Sequence, residues 1–116
     1  MTALTRVTVS VANLAAAREL YENALGIALK YEMPGMAMLV TSDGVEVQLH
    51  ERTPTPGDAG VAMSMGVDDV DAATGLAVAA GASIVKVPTD EPWGERQAVL
   101  RDVDGHVLCL VAPLSD

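Results

Sequence analysis

The sequence predicts an α+β fold: two βαβββ modules forming a curved, half-open mixed β-sheet, with the helices on its convex face. Three observations predict it. One order of strand, helix and three strands runs twice through the chain. Each predicted helix opens on an Asx residue and closes on a glycine, as capping requires. Two anchor segments of the first half also recur in the second. Val11-Ala12-Asn13-Leu14 matches Val67-Asp68-Asp69-Val70 at an offset of 56. Met36–Leu39 with Asp43-Gly44 matches Gln97–Leu100 with Asp104-Gly105 at an offset of 61.

In the first module (residues 1–51), Leu4–Val11 alternates with period two, the pattern of a half-buried strand. Val7, Val9 and Val11 fall on one face and Arg6, Thr8 and Ser10 on the other. Asn13 then caps a helix over Leu14–Ala24, whose Leu14, Ala17, Leu20, Tyr21 and Ala24 form an apolar stripe, and Gly26 ends it. Strands follow at Ile27–Glu32, Met36–Thr41 and Val45–Glu51, separated by Pro34-Gly35 and Ser42-Asp43-Gly44 turns. Residues 52–60, with two prolines and two glycines, read as a linker.

The second module (61–116) repeats the order within what is taken as one domain, 1–116. Val61–Val67 is a strand, Asp69 an N-cap, and Val70–Ala80 a helix ended by Gly81. Strands are expected at Ser83–Val87, Gln97–Arg101 and His106–Ala112. In each module one sheet face is buried under its own helix. The other face, carrying Arg6, Thr8, Ser10, Gln48 and their repeat equivalents, would line a concavity suited to a small molecule.

Composition narrows the partners. A formal net charge of −9 argues against nucleic acid and would favour cationic small molecules, or serve solubility alone. No apolar run approaches the roughly 18–20 residues of a membrane span, so no membrane partner is expected. The single cysteine, Cys109, excludes an internal disulfide and a CxxC motif, and the N-terminus lacks signal-peptide design. A cytoplasmic location is expected. Aromatic residues are scarce: Tyr21, Tyr31 and Trp93.

Three stretches carry a family resemblance: VTVSVANLAAARELYENALGI, VDDVDAATGLAVAAGASIV and PWGERQAVLRDVDGHVLCLVAP. They resemble the vicinal oxygen chelate superfamily, which includes glyoxalase I, extradiol dioxygenases and the fosfomycin- and bleomycin-resistance proteins. Asp102-Val103-Asp104-Gly105 stands where Asp-Pro-Asp-Gly is usual. Metal-dependent members place His or Glu ligands near the start of each module's first strand and on its last strand. The resemblance carries those positions to Arg6, Gln48, Ala62 and Cys109. A cation, a neutral amide, a methyl group and one thiol do not make a divalent site, so no metal and no cofactor are expected. A relocated set of Glu46, His50 and a second-module residue is the alternative.

The resemblance then implies a metal-free small-molecule binder of the bleomycin-resistance type, a homodimer that sequesters a hydrophobic or cationic natural product. The rival reading is a glyoxalase-like lyase or isomerase using a relocated metal, or acid–base chemistry by His50, Glu46 and Arg6. The candidate ligand-binding residues are Arg6, Met38, Gln48, His50, Trp93 and Cys109. Arg6 can clamp a carboxylate or phosphate, or close a salt bridge to Glu46 or Glu95. Gln48 can orient a ligand amide or carbonyl, or bond Arg6. His50 is a general-base candidate or a solvated histidine. Trp93 is a stacking lid or a packing residue at a subunit boundary. Met38 lines a pocket or the core, and Cys109 reads first as a small buried hydrophobe.

Overall fold

A computed structural model describes residues 1, 3–57 and 60–114. The fold divides into two compact units, 1–55 and 56–116. Each contains a four-stranded mixed sheet, in the order β1-β4-β3-β2 and β5-β8-β7-β6. The α+β class is as expected. Of the expected linker 52–60, Asp58 and Ala59 lie outside the described residues.

In the first unit, β1 (Arg6–Val11) runs parallel to β4 (Glu46–Glu51), with Arg6 opposite Glu46, Thr8 opposite Gln48 and Ser10 opposite His50. Strand β3 (Met36–Val40) lies antiparallel between β4 and the edge strand β2 (Ala28–Met33). Val9, Val11, Ala37, Leu39, Val47 and Leu49 are all buried. Their register puts them on the face covered by helix α1 (Leu14–Arg18), which supplies Ala17 and continues into a turn with buried Leu20 and Tyr21. Fully burying side chains of this size contributes about 1.5–3 kcal/mol each. Asn13 caps α1 as expected, accepting the Ala16 N–H at 3.0 Å.

The expected single helix over Leu14–Ala24 is instead α-helical to Arg18 and π-helical over Glu19–Ala24. The Leu25 N–H reaches back to the Leu20 carbonyl at 2.9 Å, and Ile27 N–H to Tyr21 at 3.1 Å. Leu20 and Tyr21 are fully buried in this wider turn, and Gly26 takes the positive φ of 72° that closes the helix.

The second unit repeats this plan. Strand β5 (Met63–Gly66) runs parallel to β8 (Val107–Pro113), and β7 (Glu95–Arg101) joins β8 to the edge strand β6 (Ser83–Glu91). Helix α2 (Val70–Ala79) packs on β6, β7 and β8, capped by Asp69 accepting the Ala72 N–H at 3.0 Å. The register bears out the repeat residue by residue. Thr8 and Met38 flank Gln48 in the first sheet as Ser64 and Val99 flank Cys109 in the second. Strand β6 continues past its expected end at Val87 to Glu91, carrying Pro88, which only an edge strand tolerates without losing a ladder bond.

Candidate functional site

The face of the first sheet away from α1 brings together Arg6, Thr8, Ser10, Glu46, Gln48 and His50 from the parallel pair β1–β4. Beside them lie Met36 and Met38 of β3, then Tyr31 and Met33 of β2. One half of the face is therefore polar and the other apolar. Met38 is 2% exposed and Met36 8%, whereas Tyr31 and Met33 are open to solvent.

Electrostatics on the polar half centres on Glu46. Arg6 donates Nε and Nη2 to its Oε1 at 3.1 and 2.7 Å, and Lys30 donates to its Oε2 at 2.8 Å. Those two donors, Lys30 first, hold the Glu46 carboxyl below its ordinary value. Of the expected partners for Arg6, the structure selects Glu46. It does not join Gln48 to Arg6: the Gln48 Oε1 accepts the Thr8 hydroxyl at 3.1 Å, because the parallel register seats Thr8 directly opposite. The Gln48 amide nitrogen and the half-buried His50 imidazole have no hydrogen-bond partner among the described residues.

Two cations on this face, Lys30 and Arg52, are not among the residues expected there from the sequence. Strict alternation would put Lys30 and Tyr31 on opposite faces, but a register shift between Leu29 and Tyr31 brings both to the open face. Arg52, assigned to a linker, extends the 46-48-50 alternation by one step. Its backbone N–H bonds the Val11 carbonyl at 2.9 Å and its Nε donates to Ser10 Oγ at 2.6 Å. Continuing the alternation past His50 would have found it.

The other two candidates belong to the second unit. Cys109, 7% exposed, lies between Ser64 and Val99 on the sheet face opposite Leu108 and Leu110. Trp93 sits in the turn between β6 and β7, 64% exposed, its Nε1 donating to Glu95 Oε1 at 2.6 Å. That bond holds the ring in place without burying it.

The donor set does not fit a metal. In the first sheet the two inherited positions carry the Arg6 guanidinium and the Gln48 amide. Glu46, the carboxylate of the relocated set, already has both oxygens occupied by cations. In the second sheet Cys109 stands alone beside Ser64, and among the described residues no three His, Cys, Asp or Glu side chains cluster.

The family model for the Glyoxalase/Bleomycin resistance protein/Dioxygenase superfamily matches residues 3–110. The chain belongs to that superfamily. Solved structures agree on the fold. A family enzyme from Burkholderia phytofirmans PsJN superposes with a TM-score of 0.80 at 21% identity, covering 97% of this chain and 100% of that one. A glyoxalase-related enzyme from Fulvimarina pelagi gives 0.82 at 19% identity, over 97% and 88%. TioX from Micromonospora sp. ML1 gives 0.72 at 27% identity, over 97% and 100%. Comparison with curated proteins returns no match. No helix among the described residues is long and apolar enough to cross a membrane.

Proposed function

We propose that this superfamily member is a metal-free binding protein that sequesters a small organic molecule, in the manner of the bleomycin-resistance branch. The observation that carries the reading is the replacement of ligand chemistry on the first sheet by a built polar network. Arg6, Glu46 and Lys30 lock one another in place, Thr8 orients Gln48, and the exposed Tyr31 and Met33 of β2 lie alongside over buried Met36 and Met38. Such a surface offers fixed hydrogen bonds and adaptable apolar contact, which is what a binding site needs.

A homodimer in the cytoplasm is part of the proposal. Its support is the apolar exposure of two of the edge strands: Leu29, Tyr31 and Met33 on β2, and Ile84, Val85 and Val87 on β6. An exposed apolar edge strand offers unpaired backbone groups on which a second chain can pair. Light scattering on the purified chain should return twice the 12.0 kDa chain mass.

The test of function pairs metal analysis with ligand screening. The chain should emerge from purification without stoichiometric metal, and its melting temperature should rise with a subset of natural products. Retained metal whose chelation abolishes activity would overturn the reading. The rival is a lyase or isomerase, and its specific support is the half-buried His50 imidazole, a base with no partner among the described residues. Glu46, bonded to two cations, cannot share that role. Turnover of methylglyoxal with glutathione, lost in His50→Gln, would establish the enzyme.

A further inference from the structure

Helix α2 has two apolar sides, and its own unit covers only one of them. Val70, Thr74 and Ala77 are buried on the side that packs on β6, β7 and β8. Ala72, Gly75, Leu76 and Ala79 follow one another at i, i+3, i+4 and i+7 on the opposite side, where all four are exposed. Asp71 is the one charged residue of the helix. A helix that is apolar all round is ordinarily covered on both sides. The exposed apolar surface continues past the helix: from Ala72 to Thr89 the sequence carries a single charge, Lys86. The repeat supplies the comparison. The helical segment of the first unit dresses its outer side with Arg18 paired to Glu22 and Asn23 paired to Glu19.

Size, charge and shape bear on what covers this surface. The tight turn after α2, closed by the Ala82 N–H on the Ala77 carbonyl at 3.0 Å, keeps the end of the helix beside the start of β6. Leu76, Val78, Ile84, Val85 and Val87 are each 42–61% exposed. Together they leave on the order of 400 Å² of apolar surface open, the size at which a patch marks an interaction site. The exposed Ala72, Gly75, Ala79 and Ser83 extend it toward the roughly 800 Å² per partner that a stable pair buries. The acids at its two ends, Asp71 and Asp90, are both held by Arg96. Two copies, each of net charge −9, can therefore meet here without an unpaired acid between them. The patch carries no charge pattern by which a foreign surface would be selected, but it matches itself. Leu76 stands as a ridge beside the shallow strip of Ala72, Gly75 and Ala79, so a two-fold axis seats each leucine on the small residues of the other copy. Strand β2 lacks this character: Lys30 and Glu32 interrupt its apolar residues and pair with Glu46 and Arg18.

We infer that the outer face of α2, with the exposed start of β6, is the surface through which two copies of this chain associate. Helix α2 crosses its mate at the two-fold axis, and Ile84 and Val85 flank the crossing. This rests on the homodimer reading above and gives that dimer its surface, on the second unit alone. Pro88 and two register shifts interrupt the outer edge of β6, so side chains rather than a continued ladder carry the contact. No residue of the first sheet takes part, which makes association separable from ligand binding on the face around Gln48.

The experiment is sedimentation equilibrium on the full chain over a range of concentrations, where the parent should behave as a dimer. Leu76→Glu sets an unpaired acid against its own mate at the axis and should weaken dimerisation about a hundredfold. Leu29→Glu makes the same change on exposed β2 and should leave the dimerisation constant unchanged. Both positions are exposed, so both variants should keep the parent's circular dichroism, which separates lost association from lost folding. Cross-linking measures proximity directly. Because Cys109 is buried, a short bismaleimide should join two Leu76→Cys chains and leave Leu29→Cys chains single. A dimer that survives Leu76→Glu unweakened, that yields to Leu29→Glu instead, or whose Leu76→Cys chains do not cross-link overturns the assignment while the homodimer reading stands. A parent that is monomeric throughout overturns both and leaves the patch to a foreign protein.

Discussion

Gly81, just beyond the end of α2, has a backbone φ of 106°, a conformation that side chains rarely adopt. A Cβ built there would lie 2.8 Å from Val103 Cγ1, in the turn between β7 and β8. Gly81→Ala therefore incurs two separable costs. The backbone cost is about 1–2 kcal/mol for an L-residue at positive φ, and forcing a methyl into a filled space adds about 1–3 kcal/mol. Gly26→Ala supplies the control, because Gly26 also has positive φ, 72°, but a Cβ added there would meet nothing within 4 Å. At about 4 °C per kcal/mol for a domain of this size, Gly81→Ala should lower Tm by about 8–20 °C and Gly26→Ala by about 4–8 °C. Calorimetry on both, and on Gly81→Ala combined with Val103→Ala, checks the account. The second substitution removes the clashing methyl, so it should return part of the loss in the Gly81→Ala background and cost stability on its own. Equal Tm losses for the two glycine variants, with no recovery from Val103→Ala, would refute the packing argument.

Three further outcomes follow from the same geometry. Asn13→Ala and Asp69→Ala each remove a side-chain cap on one helix and should each cost about 1 kcal/mol in denaturant unfolding. Asp102, 4% exposed, accepts the N–H groups of Asp104 and His106 through Oδ1, both at 2.9 Å. Asp102→Ala strands both donors and should cost about 2–4 kcal/mol, while Asp102→Asn, which keeps an oxygen there, should cost less than half of that by the same assay. Glu46 has its carboxyl lowered in the fold from an ordinary value of 4.5 by Lys30 and Arg6. Its ion pairs stabilise fully above that value and are lost as pH falls through the lowered one. The Tm of Glu46→Gln should lie below the parent at neutral pH and converge on it in acid; a constant gap across the titration would contradict the pairing.

Much of the fold is legible in the sequence because its signals are local. The period-two valines of β1, the Asn13 and Asp69 caps and the Gly26 and Gly81 stops each follow from one residue's conformational or bonding preference. The two repeat offsets carry further, since they pair Thr8–Gln48 with Ser64–Cys109 without any knowledge of register. The π-helical turn at Glu19–Ala24 is not legible: its residues carry an ordinary helical pattern, and nothing local in them marks the switch from i→i−4 to i→i−5 bonding. The site divides the same way. Arg6, Gln48, His50 and Met38 share a face because alternation is obligatory in a strand. Lys30 joins them through a bulge that alternation cannot foresee, and Arg52 through strand-like pairing that persists beyond β4. The Thr8–Gln48 bond, too, depends on which residue the parallel register places opposite, and a single strand does not encode that.

The bulge beside Lys30 also constrains how this surface can change by descent. Deleting one residue of β2 would restore strict alternation, and either Lys30 or Tyr31 would then turn toward the helix side, where Leu29 and Glu32 now stand. The loss would take either a cation from Glu46 or the aromatic ring from beside Met38. Point substitutions can tune each half while both residues stay on the face; a length change in this edge strand cannot. Variation among natural relatives that keep an Arg6–Glu46 pair should therefore run through residue identity in β2, with its length held constant.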